Sequence, residues 1–342
     1  MNERISISGL FNLVMIQMFR RLQGAYERLR EVVNITPVMT SRTLNMVTGN
    51  TCFLKCENFQ RTGTFKFRGA YNALSKLSSE KKERGVITHS SGNHAQALAL
   101  AANLLKIEAT VVMPENAPPV KVKATREYGA KIVTCGSDPA EREKVASSLL
   151  REHGYTFVHP SNNLDVIAGA GTAAYELAQE VHRLDHVLCP VGGGGLLSGS
   201  AIAIKALLPS AKVIGVEPKN ADDAYRSLKS GHIICAENPN TIADGLRTSL
   251  GSNTFRIIME KVDQIITVSE EEIVDAMQFL WERLKVVVEP SGAVSLAGLL
   301  SKQVREGSGR IGIILSGGNI DLQDFFTRIR QKIEKAPTLK CP

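Results

Sequence analysis

The chain of 342 residues is long enough to bury a large core, and its length favours two or three domains over one. Hydrophobic residues make up 43% and charged residues 22%, which are ordinary values for a soluble protein. The 41 basic and 34 acidic residues give a formal charge of +7, but they are interleaved along helical segments. We therefore predict a solvated surface that attracts anionic substrates, and neither a nucleic-acid groove nor a nucleic-acid partner.

The six cysteines, at positions 52, 56, 135, 189, 235 and 341, include no CxxC pair. Cys52 and Cys56 could form a metal or redox pair, but buried free thiols in a reducing, cytoplasmic compartment are the preferred interpretation. Residues 9–19 imitate the apolar part of a signal peptide, although Asn12 and Gln17 interrupt the run and no cleavage site follows. This pattern favours an amphipathic N-terminal helix, with organelle targeting as the alternative, and no other stretch approaches a membrane span.

Short apolar or β-branched runs alternate with segments of helical spacing along the chain. The predicted strands cover residues 51–56, 85–89, 109–113, 131–134, 155–158, 186–189, 212–216, 264–268 and 310–315. The predicted helices cover residues 22–33, 70–77, 95–105, 121–128, 140–152, 171–182 and 270–285, the last with a capping box at Ser269–Glu272. Repeated strand–helix units imply right-handed crossovers, so the predicted fold class is α/β with open, largely parallel sheets flanked by helices.

Lys66 stands out in the segment Arg-Thr-Gly-Thr-Phe-Lys-Phe-Arg-Gly-Ala-Tyr-Asn of residues 61–72. The pattern predicts a polar turn between a strand and a helix, with a phenylalanine on each side of the lysine. Burial at such a turn would lower the pKa of the amine, because desolvation disfavours the charged form, and such an amine can form a Schiff base. A single lysine in a loop is more often simply solvated, so the rest of the chain has to decide between the two interpretations.

Three turns at the carboxyl ends of predicted strands carry groups suited to a ligand, and open parallel sheets bind ligands there. Gly192–Gly195 precede a helix, and this combination indicates a phosphate cradle, with an ordinary glycine-rich turn as the alternative. The turn lacks both the Walker lysine and the GxGxxG spacing of a dinucleotide site, which argues against a nicotinamide oxidoreductase. Residues 89–94, His-Ser-Ser-Gly-Asn-His, suit a substrate carboxylate, and residues 315–320 offer the hydroxyl of Ser316.

Together, these four motifs resemble those of the fold type II pyridoxal phosphate enzymes, which are similar to the tryptophan synthase β subunit in fold. Within that group, the chain resembles the serine racemase and serine/threonine dehydratase branch from about residue 30 to residue 325. The resemblance implies pyridoxal 5'-phosphate as cofactor, a small amino acid such as serine or threonine as substrate, and a homodimer. It implies interconversion of L- and D-serine together with β-elimination to pyruvate and ammonia. The alternatives are a catabolic threonine/serine dehydratase and, from another class, a non-catalytic pyridoxal-phosphate-binding protein.

The resemblance also assigns roles to particular residues. Lys66 would carry the cofactor and remove the α-proton on one face of the substrate, and Ser91 would return a proton on the other face. The implied cofactor-binding residues are Phe65, Lys66, Asn93, Gly192, Gly193, Gly194, Gly195, Leu196 and Ser316. The implied substrate-binding residues are Ser90, Ser91, Gly92, Asn93, His94 and Arg142. Ser91 favours a racemase, because dehydratases that deaminate threonine commonly carry alanine there.

Two regulatory sites and a domain division follow from the same resemblance. Glu217, the carbonyl of Ala221 and Asp223 match a racemase segment that binds a divalent cation, and such oxygen ligands suit Mg²⁺ or Ca²⁺. ATP-activated racemases are similar to this chain at residues 40–43 and 61–62, although a Ser-Ser pair is usual where Ser41-Arg42 stands and lysine is common at Arg61. Residues 84–161 are expected to form a small mobile domain, and residues 1–83 and 162–342 a large domain that binds the cofactor.

Overall fold

Two separate β-sheets organise the computed structural model, which describes residues 7–117, 119–304 and 309–322. One sheet has six strands in the order β1-β2-β10-β7-β8-β9, and the other has four in the order β5-β4-β3-β6. Every neighbouring pair is parallel except β1 with β2. The α/β class with two largely parallel sheets flanked by helices is therefore confirmed.

The elements alternate along the chain as parallel sheets require. The strands are β1 (Val38–Met39), β2 (Thr51–Cys56), β3 (Val86–His89), β4 (Ala109–Pro114), β5 (Lys131–Cys135), β6 (Thr156–Phe157), β7 (His186–Pro190), β8 (Lys212–Pro218), β9 (Gln264–Val268) and β10 (Arg310–Leu315). The helices are α1 (Ile7–Leu29), α2 (Arg42–Thr48), α3 (Lys66–Ser75), α4 (Ser79–Arg84), α5 (Asn93–Leu104), α6 (Pro119–Glu127), α7 (Pro139–His153), α8 (Leu164–Val181), α9 (Gly195–Leu207), α10 (Asp223–Ser230), α11 (Ser252–Lys261), α12 (Glu270–Phe279) and α13 (Pro290–Leu300).

All the strands predicted from the sequence are present, and their ends differ from the prediction by no more than two residues. The helices differ more. Lys66 was predicted in a turn, but it is the first residue of α3, and α8 begins at Leu164 rather than residue 171 because the side chain of Asn163 caps it. The capping box at Ser269 is confirmed, yet the last turn of that helix, Leu280–Leu284, has π-helical geometry.

The N-terminal helix α1 joins the prediction for residues 9–19 and that for residues 22–33 into one element, which ends at Leu29. Met18, Leu22, Ala25 and Leu29 are buried at helical spacing, so one stripe of α1 packs on the core. None of the described helices combines the length and apolar character needed to cross a membrane.

Four of the described cysteines match the prediction of buried free thiols, and one does not. Those at positions 52, 56, 135 and 189 are buried free thiols, and Cys235 is an exposed free thiol. Cys341 lies outside the described residues.

Helix α8 packs unusually closely against two neighbouring helices. A Cβ atom at Gly169 would lie 2.5 Å from the carbonyl oxygen of Arg68, and one at Gly171 would lie 2.6 Å from that of Gly199. Only glycine allows backbones to approach so closely. Since Arg68 is in the first turn of α3 and Gly199 lies in α9, helix α8 sets the spacing between the two helix starts that carry Lys66 and the four glycines.

A buried cluster of four charges lies beneath the start of α3. The guanidinium group of Arg68 pairs with Glu57 at 2.7 Å and with Glu176 at 2.6 Å, and Lys55 pairs with Glu176 at 2.7 Å. Thr36 donates a further hydrogen bond of 2.6 Å to Glu57. The side chains of Lys55, Glu57 and Arg68 are completely buried, so two positive and two negative charges balance one another without water.

Removing one member of this cluster should leave a buried charge uncompensated. We expect Arg68→Met to lower the free energy of unfolding by about 3–5 kcal/mol. The matched control is Arg84→Met, because Arg84 pairs with Glu80 on the surface, where both side chains are more than half exposed. Its cost should stay below about 1 kcal/mol. Urea unfolding of the two variants compares them directly, and equal losses would show that the buried cluster contributes no special stability.

Candidate active site

Lys66 is held in place by backbone contacts with the turn that follows β10. The amide of Phe65 and the hydroxyl of Thr64 both donate to the carbonyl oxygen of Ser316, each at 3.0 Å. The amine of Lys66 donates to the carbonyl of Pro160 at 3.1 Å and lies 5.1 Å from the ring centre of Phe65. Burial lowers the pKa of this amine to about 8, although Glu289 nearby opposes the shift. The uncharged fraction near neutral pH is therefore much larger than that of an ordinary lysine.

The four glycines at residues 192–195 link β7 to the start of α9. Gly194 has a φ of 79°, a backbone angle that residues with a side chain rarely adopt. A Cβ atom at Gly193 would lie only 2.4 Å from the hydroxyl oxygen of Ser161. The next residue, Leu196, is buried in the core. The loop therefore presents backbone N–H groups at the positive end of a thirteen-residue helix, an arrangement suited to a phosphate group.

The loop at residues 90–94 runs from the end of β3 into the first turn of α5. Ser90, Ser91 and Gly92 are partly exposed, as a substrate-binding loop requires. Asn93 donates to Glu289 at 2.7 Å and accepts from Asn319 at 2.9 Å. These two bonds join the loop to the chain around β10 and α13.

His94 is buried, and its Nε2 lies 3.2 Å from the carbonyl oxygen of Val158. Burial and then the charge of Lys66 lower the pKa of His94 to about 3, so the imidazole is neutral. Arg142, a predicted substrate-binding residue on α7, lies near His89. Burial and then the charge of Arg142 lower the pKa of His89. Arg142 is thus at the end of β3, and its Nε has no hydrogen-bond partner among the described residues.

Three features of this region were not singled out in the sequence. Glu289 immediately precedes α13 and is only 2% exposed, and Ser161 packs on the four-glycine loop. Lys121 on α6 forms an ion pair with Asp244, and its amine lies 4.0 Å from the position of a Cβ atom at Gly92. The only sequence signal for Glu289 is an acidic residue between three valines and a proline. The sequence around Lys121 and around Asp244 contains no local pattern that predicts their ion pair.

Glu217 and Asp223 lie together at the end of β8, and both are completely buried. Backbone N–H groups donate to both oxygens of Glu217. Both oxygens of Asp223 lack a partner with ordinary hydrogen-bond geometry among the described residues, although Ser249 is near enough to lower its pKa slightly. Desolvation followed by the charge of Asp223 raises the pKa of Glu217 well above its usual range, and desolvation raises that of Asp223 to about 6.

Two buried carboxyl groups side by side, with both oxygens of Asp223 unpartnered among the described residues, fit a divalent cation. No group of three or more acidic, histidine or cysteine side chains is placed to hold a metal within the residues described. The cation would therefore depend on two carboxylates and the carbonyl of Ala221.

Lys66, the four-glycine loop and Asn93 all lie within a stretch of the chain that matches a known protein family. The family model described as pyridoxal-phosphate dependent enzyme matches residues 29–317. The chain belongs to this family. The residues fit the cofactor in the family's name, because Lys66 offers an amine of lowered pKa and the loop at residues 192–195 offers N–H groups to a phosphate.

Relatives within this pyridoxal-phosphate family carry two kinds of name. An L-threo-3-hydroxyaspartate ammonia-lyase of Saccharomyces cerevisiae is 52% identical over 92% of this chain and 97% of its own length. A serine racemase of Dictyostelium discoideum is 47% identical over 89% of this chain and 95% of its own. The solved structure of maize serine racemase superposes with a TM-score of 0.89 and 42% identity, covering 92% and 98% of the two chains.

The close contact at Gly193 gives a test of the loop geometry. Gly193→Ala should cost about 1–3 kcal/mol of stability, because the added methyl group overlaps the side chain of Ser161. Adding Ser161→Gly should recover part of this loss by removing the overlapping atoms. Thermal unfolding of the single and double variants measures both effects. An unchanged melting temperature in the single variant would show that the loop can move away from Ser161.

Proposed function

We propose that this enzyme interconverts L- and D-serine and also eliminates water from serine to give pyruvate and ammonia. The observation that carries the proposal is the partly buried amine of Lys66, with its pKa lowered to about 8, in the same site as the four-glycine loop and Asn93. Relatives named as racemases and as ammonia-lyases, both at about half identity, support a site able to carry out both reactions.

The cofactor would be held by groups from three segments. Lys66 would bind pyridoxal phosphate covalently beside Phe65, and the N–H groups of residues 192–195 together with Leu196 would bind its phosphate. Asn93 would contact the ring hydroxyl, and Ser316 would face the ring nitrogen. When bound, the cofactor supplies an electron sink that acidifies the α-carbon of the substrate.

Proton transfer on the two faces of the α-carbon is assigned to two side chains. The amine of Lys66 would take the α-proton, and its lowered pKa keeps part of it unprotonated at neutral pH. The hydroxyl of Ser91 would return a proton from the opposite face and so produce the enantiomer. The loop at residues 90–94 would hold the substrate carboxylate at the positive end of α5, with Arg142 contributing charge from α7.

Residues 84–161 are proposed to form the small mobile domain that closes on the large domain of residues 1–83 and 162–342. Support comes from the four-stranded sheet, whose strands all fall within the first range, and from polar contacts between the ranges. Asn93 bonds to Glu289, and Lys121 pairs with Asp244. Closure of this kind would exclude water from the α-carbon during proton transfer.

Elimination from 3-hydroxyaspartate is a second candidate function. The yeast relative carries that substrate in its name. In this chain the ammonium group of Lys121 lies beside Gly92 in the substrate loop, where it could attract a second carboxylate. This substrate therefore belongs in the same assays as serine and threonine.

A divalent cation, Mg²⁺ or Ca²⁺, is proposed to bind Glu217, Asp223 and the carbonyl of Ala221, where it would offset the buried negative charge. It would stabilise the end of β8 and the start of α10 and take no part in proton transfer. Activation by ATP, association into a homodimer and a cytoplasmic location stay predictions of the family resemblance.

The assignment of Ser91 is tested by following D-serine and pyruvate in one reaction with L-serine and Mg²⁺. Ser91→Ala should lower D-serine formation by about 100-fold or more while pyruvate formation persists, because only racemisation needs the second proton donor. Lys66→Ala should abolish both products, together with the visible cofactor absorption that borohydride removes from the wild type. If wild type and Ser91→Ala form only pyruvate at equal rates, the enzyme is a dehydratase.

The cation site makes a separate prediction. At about 100 times its dissociation constant, Mg²⁺ should stabilise the wild type by about 2.7 kcal/mol, and Asp223→Ala should lose most of this effect. Thermal unfolding with and without the ion measures the difference. Asp222→Ala is the matched control, because Asp222 is partly exposed and pairs with Arg226 instead. Equal responses of the two variants to Mg²⁺ would contradict the site.

A further inference from the structure

The side-chain amide of Asn93 is fixed at both of its polar ends. Its Nδ2 donates to Oε1 of Glu289 at 2.7 Å, and its Oδ1 accepts from Nδ2 of Asn319 at 2.9 Å. Asn319 is fixed in turn, since its Nδ2 also donates to the carbonyl of Thr62 at 2.7 Å. One N–H bond of Asn93 remains for a ligand, and its direction is set by these neighbours.

Glu289 reaches Asn93 from the other side of the site. Glu289 is 2% exposed and precedes α13. A Cβ atom added at Gly317 would lie only 2.5 Å from Oε1 of Glu289, so glycine there makes room for the carboxyl group. Its Oε2 is buried without a hydrogen-bond partner among the described residues. The nearby cations are engaged elsewhere, since Lys66 donates to Pro160 and Lys121 pairs with Asp244.

We propose that Glu289 is a positioning residue which, together with Asn319, holds the amide of Asn93 toward the cofactor ring, and that its carboxyl group stays protonated in the folded enzyme. The inference rests on the proposed function, because Asn93 acts there on the ring hydroxyl. It adds a residue from α13 to a site otherwise assigned to the four sequence motifs.

The contacts of Glu289 explain why it would keep its proton. An ionised carboxylate taken out of water needs several donors or a close cation, whereas Glu289 accepts one bond from a neutral amide. The charged groups that face it are Asp244, Lys121 and Lys66. Burial and then Asp244 raise the pKa of Glu289 to about 8, and they outweigh the opposing effects of Lys121, Asn93 and Lys66.

A protonated Glu289 also matters for Lys66. A negative charge on Glu289 raises the pKa of the Lys66 amine and so favours its ammonium form, which cannot accept a proton. With Glu289 neutral, Lys66 stays the stronger candidate for the base. The protonated form of Glu289 would therefore orient Asn93 and would also avoid raising the pKa of Lys66.

The first test compares Glu289→Gln, which keeps the acceptor oxygen but cannot ionise, with Glu289→Ala, which removes it. Pyridoxal phosphate is titrated into the cofactor-free chain, and binding is followed by visible absorption. Glu289→Gln should bind within about threefold of the wild type, and Glu289→Ala should bind about tenfold more weakly. Ser295→Ala is the matched control, because Ser295 is buried on the same helix with an unpartnered hydroxyl, and it should bind like the wild type.

The second test measures the proton itself on the cofactor-free chain. The carboxyl group of Glu289 has a raised pKa in the folded chain. Its contribution to the stability of the fold is therefore lost as pH rises from the ordinary pKa of 4.5 to the folded pKa of about 8. The melting temperature of Glu289→Gln minus that of the wild type should therefore increase across this pH range. Above the range the difference should stay constant. The visible band of the loaded wild type should also change near pH 8 in a step that Glu289→Gln lacks.

Each outcome supports or overturns the inference. If Glu289→Gln binds the cofactor as weakly as Glu289→Ala, or if its relative stability does not change with pH, the protonated state is wrong. If Glu289→Ala binds as tightly as the wild type, Glu289 does not position Asn93. Failure of the proposed function appears differently, because the wild type itself would then show no visible cofactor band or no reaction with serine.

Discussion

The buried ion cluster around Arg68 is the constraint on which the site depends most directly. It ties the end of β2, the first turn of α3 and the middle of α8 together through Glu57 and Glu176. Because ion pairs without water are strongly directional, the cluster fixes how α3 enters the core. Lys66 lies only two residues before Arg68, at the start of α3. The ion cluster and the close glycine contacts with α8 therefore fix the position of Lys66.

A second constraint is that the site is assembled from both sheets. The four-stranded sheet supplies Asn93 and Lys121, and the chain around the six-stranded sheet supplies their partners Glu289 and Asp244. Apolar contacts cross between the same parts of the chain, since Phe67 and Leu74 of α3 belong to one buried cluster with Leu98 of α5.

Desolvation is the largest cause of the pKa shifts of Lys66, His94 and Glu289, and it pushes each toward its uncharged form. It lowers the pKa of Lys66 to about 8 and of His94 to about 3, and it raises that of Glu289 to about 8. The imidazole of His94 is therefore neutral, the carboxyl group of Glu289 favours its acid form, and the uncharged form of the Lys66 amine becomes accessible. This environment suits proton abstraction from carbon, because a base that is already uncharged does not first have to lose a proton.

The sequence alone determined the fold class, the strands and the turns that carry the four glycines, residues 90–94 and Ser316. These features are local, since a strand, a turn and a helix start follow from neighbouring residues. Only the tertiary structure decided that α3 begins at Lys66, that α8 begins at Leu164 and that Glu289 faces Asn93. The last two residues are 196 positions apart, and their burial and protonation depend on contacts that no local pattern encodes.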